Sequence, residues 1–339
     1  MNVPQCGNRR NIVVLGASAG GVEALQTMFA SLPSDTAASF FVVLHISPHS
    51  PSQLARILQR VTSMHVTSAE DHQAIMPNTV YVATPDRHLM IEGDRLRVTR
   101  GPKECRVRPA IDVLFRSAAL TCGPRVIGVI LSGALDDGTA GLWQIKDRKG
   151  LAFVQAPEEA QYRSMPDSAI EHVDVDFVGT IEQLSAALTR ETICHASLPI
   201  LHAPRISQEV ENEVALEGNG MYADVMKLGK VSNYTCPECH GVLVQIEDGM
   251  LVRFRCHTGH AYSFKSLLVE VNEAVDASLW STVRAIEERI LILKQFADLA
   301  EAAGKVAEAL SLRQKANVAE EKCASLRALV LDTEFFAND

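Results

Sequence analysis

The sequence predicts an α/β protein: a doubly wound, mainly parallel sheet, followed by a small cysteine/histidine module and a helical hairpin. Three observations predict it. The short continuous apolar runs VVLG, FFVVL and VIGVIL read as strands covered on both faces. Between residues 11 and 190 such runs alternate with helical patterns. From residue 266 the periodicity is helical alone, interrupted at Gly304.

Taken in order, strands are expected at 12–15, 40–44, 79–83, 95–99, 126–131 and 151–155, and helices at 22–29, 52–61, 111–120, 141–147 and 181–188. Residues 87–100 read as a hairpin turning at Glu92-Gly93-Asp94. The expected organisation is a loose arm (1–10), a catalytic-type domain (11–190), a polar linker with a short helix (191–230), a cysteine/histidine module (231–265), a helical hairpin (266–331) and a tail (332–339). Val271, Val275, Leu279, Val283, Ile286, Ile290, Leu293 and Phe296 recur at helical spacing, and Val306, Leu310, Leu312, Cys323, Leu326 and Val330 form a second stripe, as in two antiparallel helices.

The chain has 339 residues, 47% of them hydrophobic, enough for a large core plus a second module. A net charge of −9 argues against nucleic acid as the partner. No apolar run approaches the roughly 20 residues of a membrane span, so no membrane insertion is expected. The N-terminus, MNVPQCGNRR, lacks the apolar stretch of a secretory signal, which predicts a cytoplasmic protein. The eight cysteines then read as thiols or metal ligands. Cys6, Cys105, Cys122, Cys194 and Cys323 show no chelating spacing and read as plain thiols.

The chemistry centres on Gly16-Ala17-Ser18-Ala19-Gly20, a G-x-S-x-G turn between a strand and a helix. Such a turn lifts a serine hydroxyl to a helix N-terminus, where free N–H groups can meet an oxyanion. A dinucleotide loop is excluded because Ser18 occupies the middle glycine position, and no Lys-Ser/Thr pair follows for a P-loop. A glycine-rich turn that merely joins strand to helix is the plain alternative. His45 leaves the FFVVL strand at its carboxyl end, with a side chain suited to general-base work; His49 competes from further into the loop. The VIGVIL strand runs into SGALDDGTAG, where Asp136 or Asp137 could orient an imidazole while the other caps the next helix. Three polar groups at the carboxyl ends of three strands point to a triad at one sheet edge. The order Ser…His…Asp excludes a simple α/β-hydrolase, which runs Ser…Asp/Glu…His.

GASAGGVEAL, VVLHISP, VYVATPDRHL, RPAIDVLFRSAA and VILSGALDDGTAGL together resemble the catalytic domain of the chemotaxis protein-glutamate methylesterases, the CheB family, over residues 11–188. The resemblance implies Ser18 as nucleophile, His45 as base and Asp137, rather than Asp136, as the third member, with the backbone N–H groups of Ala19 and Ala134 as oxyanion donors. It implies hydrolysis of glutamate γ-methyl esters on the cytoplasmic helices of methylated chemoreceptors, releasing methanol, with deamidation of receptor glutamine in many members and no catalytic cofactor. Two departures stand out. Leu135 takes the place of a glycine in the family's Gly-Met-Gly-Asn-Asp-Gly turn, so that turn's geometry is not carried over by the resemblance. No receiver domain precedes residue 11, so a stand-alone form without receiver-domain control is expected. Arg106, Arg108 and Arg116 flank the RPAID segment and read either as solvated charge or as a landing for an acidic receptor helix.

Cys236-Pro-Glu-Cys239 and Cys256-His-Thr-Gly-His260 carry chelating spacings, and three thiolates with one imidazole suit tetrahedral zinc. His257 is the competing fourth ligand, with a poorer bite beside Cys256. VLVQIEDGMLVRFRC between the pairs reads as a hairpin turning at Asp248-Gly249, so the whole is zinc-ribbon-like. So short a segment has little core, and zinc binding of roughly 10 kcal/mol or more would supply its folding energy. The site reads as structural because no open position is implied. A redox C-x-x-C lacks its βαβ context.

The helical hairpin is expected to pack internally, to self-associate or to dock a signalling partner. Receptor methylesterase activity is the reading the motifs favour. A non-catalytic scaffold that keeps the fold, and a general small-ester hydrolase, are the alternatives.

Overall fold

The computed structural model describes residues 9–33, 35–48, 51–194, 198–200, 202–218, 220 and 223–332. Most of the expected arm, part of the linker, His49, Cys6 and most of the tail lie outside them. The chain forms two compact units, residues 1–266 and 267–339.

The first unit begins with β1 (Ile12–Ala17), α1 (Gly21–Ser31), β2 (Ser39–Leu44), α2 (Leu54–Gln59), β3 (His65–Ser68) and β4 (Thr79–Val82). A hairpin of β5 (His88–Glu92) and β6 (Arg95–Thr99) precedes α3 (Ile111–Cys122), β7 (Val126–Ile130), α4 (Thr139–Asp147) and β8 (Leu151–Gln155). Then come α5 (Ser164–His172), β9 (Phe177–Gly179), α6 (Ile181–Ile193) and α7 (Ile206–Glu217).

Seven strands form one parallel sheet in the order β3-β4-β2-β1-β7-β8-β9. All six residues of β1 and of β2 are buried, as the unbroken apolar runs require of central strands. Alternate residues of β1 feed two cores. Val13 and Leu15 pack with Leu25, Phe29, Leu58 and Leu184 under α1, α2 and α6. Ile12 and Val14 pack with Ile111, Phe115, Leu142 and Met165 under α3, α4 and α5. The chain works outward from β1 through β2 to β4 and β3, then returns to β7 on the other side of β1. The carboxyl ends of β1 and β7 therefore flank the topological switch point, where such sheets hold their ligands.

The edge strands β3 and β9 and the helix α5 escape the sequence reading. β3 and β9 are short and partly exposed, so neither carries a continuous apolar run. Helix α5 is nine residues long and buries only Met165, Pro166, Ser168 and Ala169.

The first unit ends with a four-stranded antiparallel sheet, β10 (Lys230–Thr235), β11 (Val242–Asp248), β12 (Leu251–Cys256) and β13 (Ala261–Ser263), ordered β10-β11-β12-β13. Its apolar body is Leu243, Val244, Ile246, Phe254 and Tyr262, all buried. A buried charge network joins it to α3 and α7. Arg116 of α3 donates to Glu104 at 2.6 and 3.1 Å. Arg255 Nη2 lies 2.9 Å from both Glu104 Oε1 and Glu211 Oε1. Arg253 forks onto Glu211 at 2.7 and 2.9 Å and also meets Asp248. Three cations and three anions are thus buried together, none more than 6% exposed.

The second unit holds most of α8 (Phe264–Ala302) and α9 (Val306–Val330). Val283, Ile290, Ala316, Ala319 and Cys323 are buried between the two helices. Among the described residues, no helix is long and apolar enough to cross a membrane.

Candidate active site

The structure brings Ser18, His45 and Asp137 together. Ser18 follows β1, His45 follows β2, and Asp137 lies in the turn after β7. Because β2, β1 and β7 are parallel neighbours, all three residues leave the sheet at the same edge. His45 Nδ1 stands 3.1 Å from Ser18 Oγ, and His45 Nε2 stands 2.8 Å from Asp137 Oδ2. An ionised carboxylate only accepts, so Nε2 carries the proton and the Nδ1 lone pair faces the hydroxyl.

Asp137 is 3% exposed and sits at the N-terminus of α3. Its Oδ2 accepts from Ile111 N at 2.7 Å and its Oδ1 from Asp112 N at 3.1 Å. It does not cap the helix that follows it: Gly138 is the N-cap of α4, which has no side-chain cap. The carboxylate instead satisfies the free N–H groups of a helix that precedes it in sequence, where the helix dipole also favours negative charge. Asp136 points elsewhere, accepting a hydrogen bond from Ser263 Oγ at 2.8 Å. Burial raises the Asp136 pKa above the ordinary carboxylate value.

Asp112 was not singled out by the sequence. It is buried behind Asp137, and its Oδ1 accepts from Gly141 N at 2.6 Å. Burial, then the charge of Asp137, pushes its carboxyl well above the usual range.

Ser132, the first residue after the VIGVIL run, was also missed. Ser18 N donates to Ser132 O at 2.9 Å, and Ser132 Oγ donates to Ala19 O at 2.8 Å. Tyr162 N donates to Ser132 Oγ at 2.9 Å, and Gly133 N to Tyr162 O at 2.9 Å. These bonds lock the serine turn against the turn after β7. Gly133 is required by closeness: a β-carbon there would stand 2.9 Å from Ser18 Cβ and 2.0 Å from Met165 Sδ. Gly20 is required by its backbone, with φ of 72° at the start of α1. Among the described residues, the N–H groups of Ala19 and Ala134 have no acceptor. Both lie in the paired turns around Ser18. Leu135 accepts φ of 61°, the left-handed conformation that a glycine would take freely.

Of the flanking arginines, Arg116 is a correction to both readings of it. It is 1% exposed and committed to Glu104, so it is neither solvated nor free to receive a partner. Arg108 donates to Asp86 at 2.6 Å and to Gly101 O at 2.6 Å. Arg106 also has an interaction within the chain.

Away from this edge, Cys236, Cys239, Cys256 and His260 form a cluster that could hold a metal ion, with all ligand atoms within 4.8 Å of one another. Cys239 Sγ and Cys256 Sγ are 3.7 Å apart, and His260 Nδ1 is 3.6 Å from the sulfurs of both Cys236 and Cys256. A tetrahedral ion with ordinary Zn–S and Zn–N bonds needs edges of roughly 3.8 and roughly 3.6 Å. His260, not His257, supplies the imidazole of this group. Its other nitrogen, Nε2, lies 3.4 Å from Glu238 Oε2, the carboxylate partner that metal-bound histidines usually have.

A relative from Leptospira interrogans is 39% identical over 179 residues, spanning 52% of this chain and 93% of the relative. A Geobacillus kaustophilus protein named protein-glutamate methylesterase/protein-glutamine glutaminase is 36% identical over 184 residues, and the match spans 53% of each chain. The crystal structure of the Thermotoga maritima CheB methylesterase catalytic domain superposes with a TM-score of 0.51 at 31% identity, covering 53% of this chain and 97% of that one. The sequence model of the CheB methylesterase family matches residues 13–188, the stretch that carries all three converging side chains. The chain belongs to the CheB methylesterase family.

Proposed function

We propose that this protein is a serine hydrolase that removes γ-methyl groups from methylated glutamates on the cytoplasmic helices of chemoreceptors, and that it deamidates receptor glutamines at the same site. The observation that carries this reading is the relay of Ser18, His45 and Asp137 across 3.1 and 2.8 Å at the switch point of the sheet. Relatives named for both activities support the substrate class. We assign the protein to the cytoplasm, with those receptor segments.

In this mechanism Ser18 Oγ attacks the ester carbonyl while its proton passes to His45 Nδ1. Asp137, fixed by two N–H groups of α3, holds the ring and balances the imidazolium. The N–H groups of Ala19 and Ala134 take the oxyanion, each worth about 3 kcal/mol of barrier. Nδ1–H then protonates the departing methoxide. Water, deprotonated by the same nitrogen, hydrolyses the acyl-enzyme and leaves glutamate.

The Cys236, Cys239, Cys256 and His260 set is assigned to structural zinc. It offers three sulfurs and one nitrogen, the donor number of a tetrahedral ion, and the separations of 3.6 and 3.7 Å among them support that ion. The exposed apolar residues Leu291, Phe296 and Leu299 of the helical hairpin are assigned to self-association or a signalling partner.

The decisive experiment measures methanol release from methylated receptor. Wild-type protein should release it and Ser18→Ala should not; turnover by the variant overturns the assignment.

A further inference from the structure

We propose that the cysteine/histidine ribbon is a working part of the active centre: through Ser263 it positions the 133–138 turn, and metal at its Cys236, Cys239, Cys256 and His260 site is needed for full reactivity of Ser18. The inference rests on the esterase reading and deepens it.

His260, a ligand of the cluster, immediately precedes β13, and Ser263 ends that strand. Between them the chain is clamped to the first unit's main fold. Ala261 N donates to Lys103 O at 3.2 Å, and Cys105 N donates to Ala261 O at 2.9 Å. Glu104, inside that clamp, is the carboxylate shared by Arg116 of α3 and Arg255 of β12. Lys103 Nζ reaches Glu238 at 3.1 Å, and Glu238 in turn faces His260. The ribbon end nearest the metal ligands is therefore held in register with the segment leading into α3.

From that clamp Ser263 Oγ donates to Asp136 Oδ1 at 2.8 Å. Asp136 adjoins Asp137 on one side and Leu135 on the other. The turn is a poor one to leave unsupported, because Leu135 sits at φ of 61°. A β-carbon residue pays about 1–2 kcal/mol for that conformation. The same turn carries the Ala134 N–H and the carboxylate that orients His45. A support that fixes Asp136 fixes both. The ribbon's own apolar body is small, so loss of the metal would loosen β13 and release this support.

Ser263 Oγ also accepts from Ser266 N at 3.0 Å, at the start of α8. Ser263→Ala therefore removes a cap as well as the bond to Asp136, and the test must approach the contact from both sides.

The test uses the full, metal-loaded chain. A fluorophosphonate probe labels an activated serine without any receptor, so the labelling rate of Ser18 reads the centre directly. Ser263→Ala and Asp136→Ala should each slow labelling about tenfold, the scale of a small misplacement in an active site. The double variant should slow it no further, and Ser263→Thr should regain most of the rate. On methylated receptor kcat should fall in step while KM holds. Removal of the metal, verified by elemental analysis, should slow labelling likewise. It should also shift the emission of Trp143, whose Nε1 lies 3.2 Å from where a β-carbon on Gly249 of the ribbon would stand. A Trp280→Phe background isolates that signal, since the chain has two tryptophans. Re-added Zn²⁺ should reverse both changes.

Ser263→Ala or metal-free protein that labels at the wild-type rate overturns the coupling and leaves the esterase reading intact. Wild-type protein that takes no label overturns the nucleophile assignment and the coupling with it.

Discussion

Arg255 of the ribbon and Glu211 of α7 meet at 2.9 Å with no exposed surface on either residue. The sequence separates them by the rest of the linker and one metal-ligand motif; the fold makes them the centre of one buried ion network. Such networks stabilise little against an apolar core, yet losing one partner strands the others. Glu211→Gln leaves Arg253 and Arg255 short of a counter-charge. It should cost about 3–5 kcal/mol in urea unfolding of the first unit. A cost below about 1 kcal/mol would show that the arginines find other partners.

The same network predicts an acid limb. Burial opposes ionisation of Glu104, but Arg116 and Arg255 prevail and hold its carboxyl down to about 2, against an ordinary 4.5. A depressed folded value means the stabilisation is present above the unfolded value and is lost as pH falls through the folded one. The urea midpoint should therefore decline between about pH 4.5 and about pH 2. Glu104→Gln should lower stability at neutral pH and flatten that decline.

Asp137→Asn keeps the shape at the N-terminus of α3 but presents His45 with an amide. The imidazole then loses its orienting anion. Methanol release should fall by roughly 10³–10⁴ in kcat with KM nearly constant, by analogy with other triads. Asp136→Asn should act far more weakly, because Asp136 does not face the histidine.

Leu135 offers a stability test at the turn. Glycine relieves the left-handed backbone but adds freedom to the unfolded chain. Leu135→Gly should leave stability unchanged or raise it by up to about 1 kcal/mol, and Leu135→Val should lower it by about 1 kcal/mol or more. Thermal denaturation of both variants decides the matter; a destabilised Leu135→Gly would mean that the side chain's packing outweighs the strain.

Elemental analysis of the purified chain should find one zinc per molecule. His260→Ala should lose it, whereas His257→Ala should retain it, since His260 is the histidine of the four-residue group.

Local features are legible in the sequence. Unbroken apolar runs announce buried parallel strands because both faces of such strands must be covered. Small-residue turns at their ends announce Ser18 and the 133–138 segment because glycine permits the close approach at Gly133 and takes the positive φ at Gly20 and Gly138 without strain. The cysteine and histidine spacings announce a chelating set because each short loop can aim two ligands at one ion. Tertiary structure decided what depends on distant partners. The order β2-β1-β7 chose Asp137 over Asp136, because only the backbone N–H groups of α3 and the ring of His45 distinguish two adjacent carboxylates. It also made Arg116, Arg253 and Arg255 interior residues. A charge reads as solvated in a sequence, and its burial is settled by whether the fold delivers an opposite charge, here from residues as far away as Glu104 and Glu211. Ser132 and Ser263 were silent for the same reason: a hydroxyl carries no pattern of its own until two turns, or two sheets, are brought against each other.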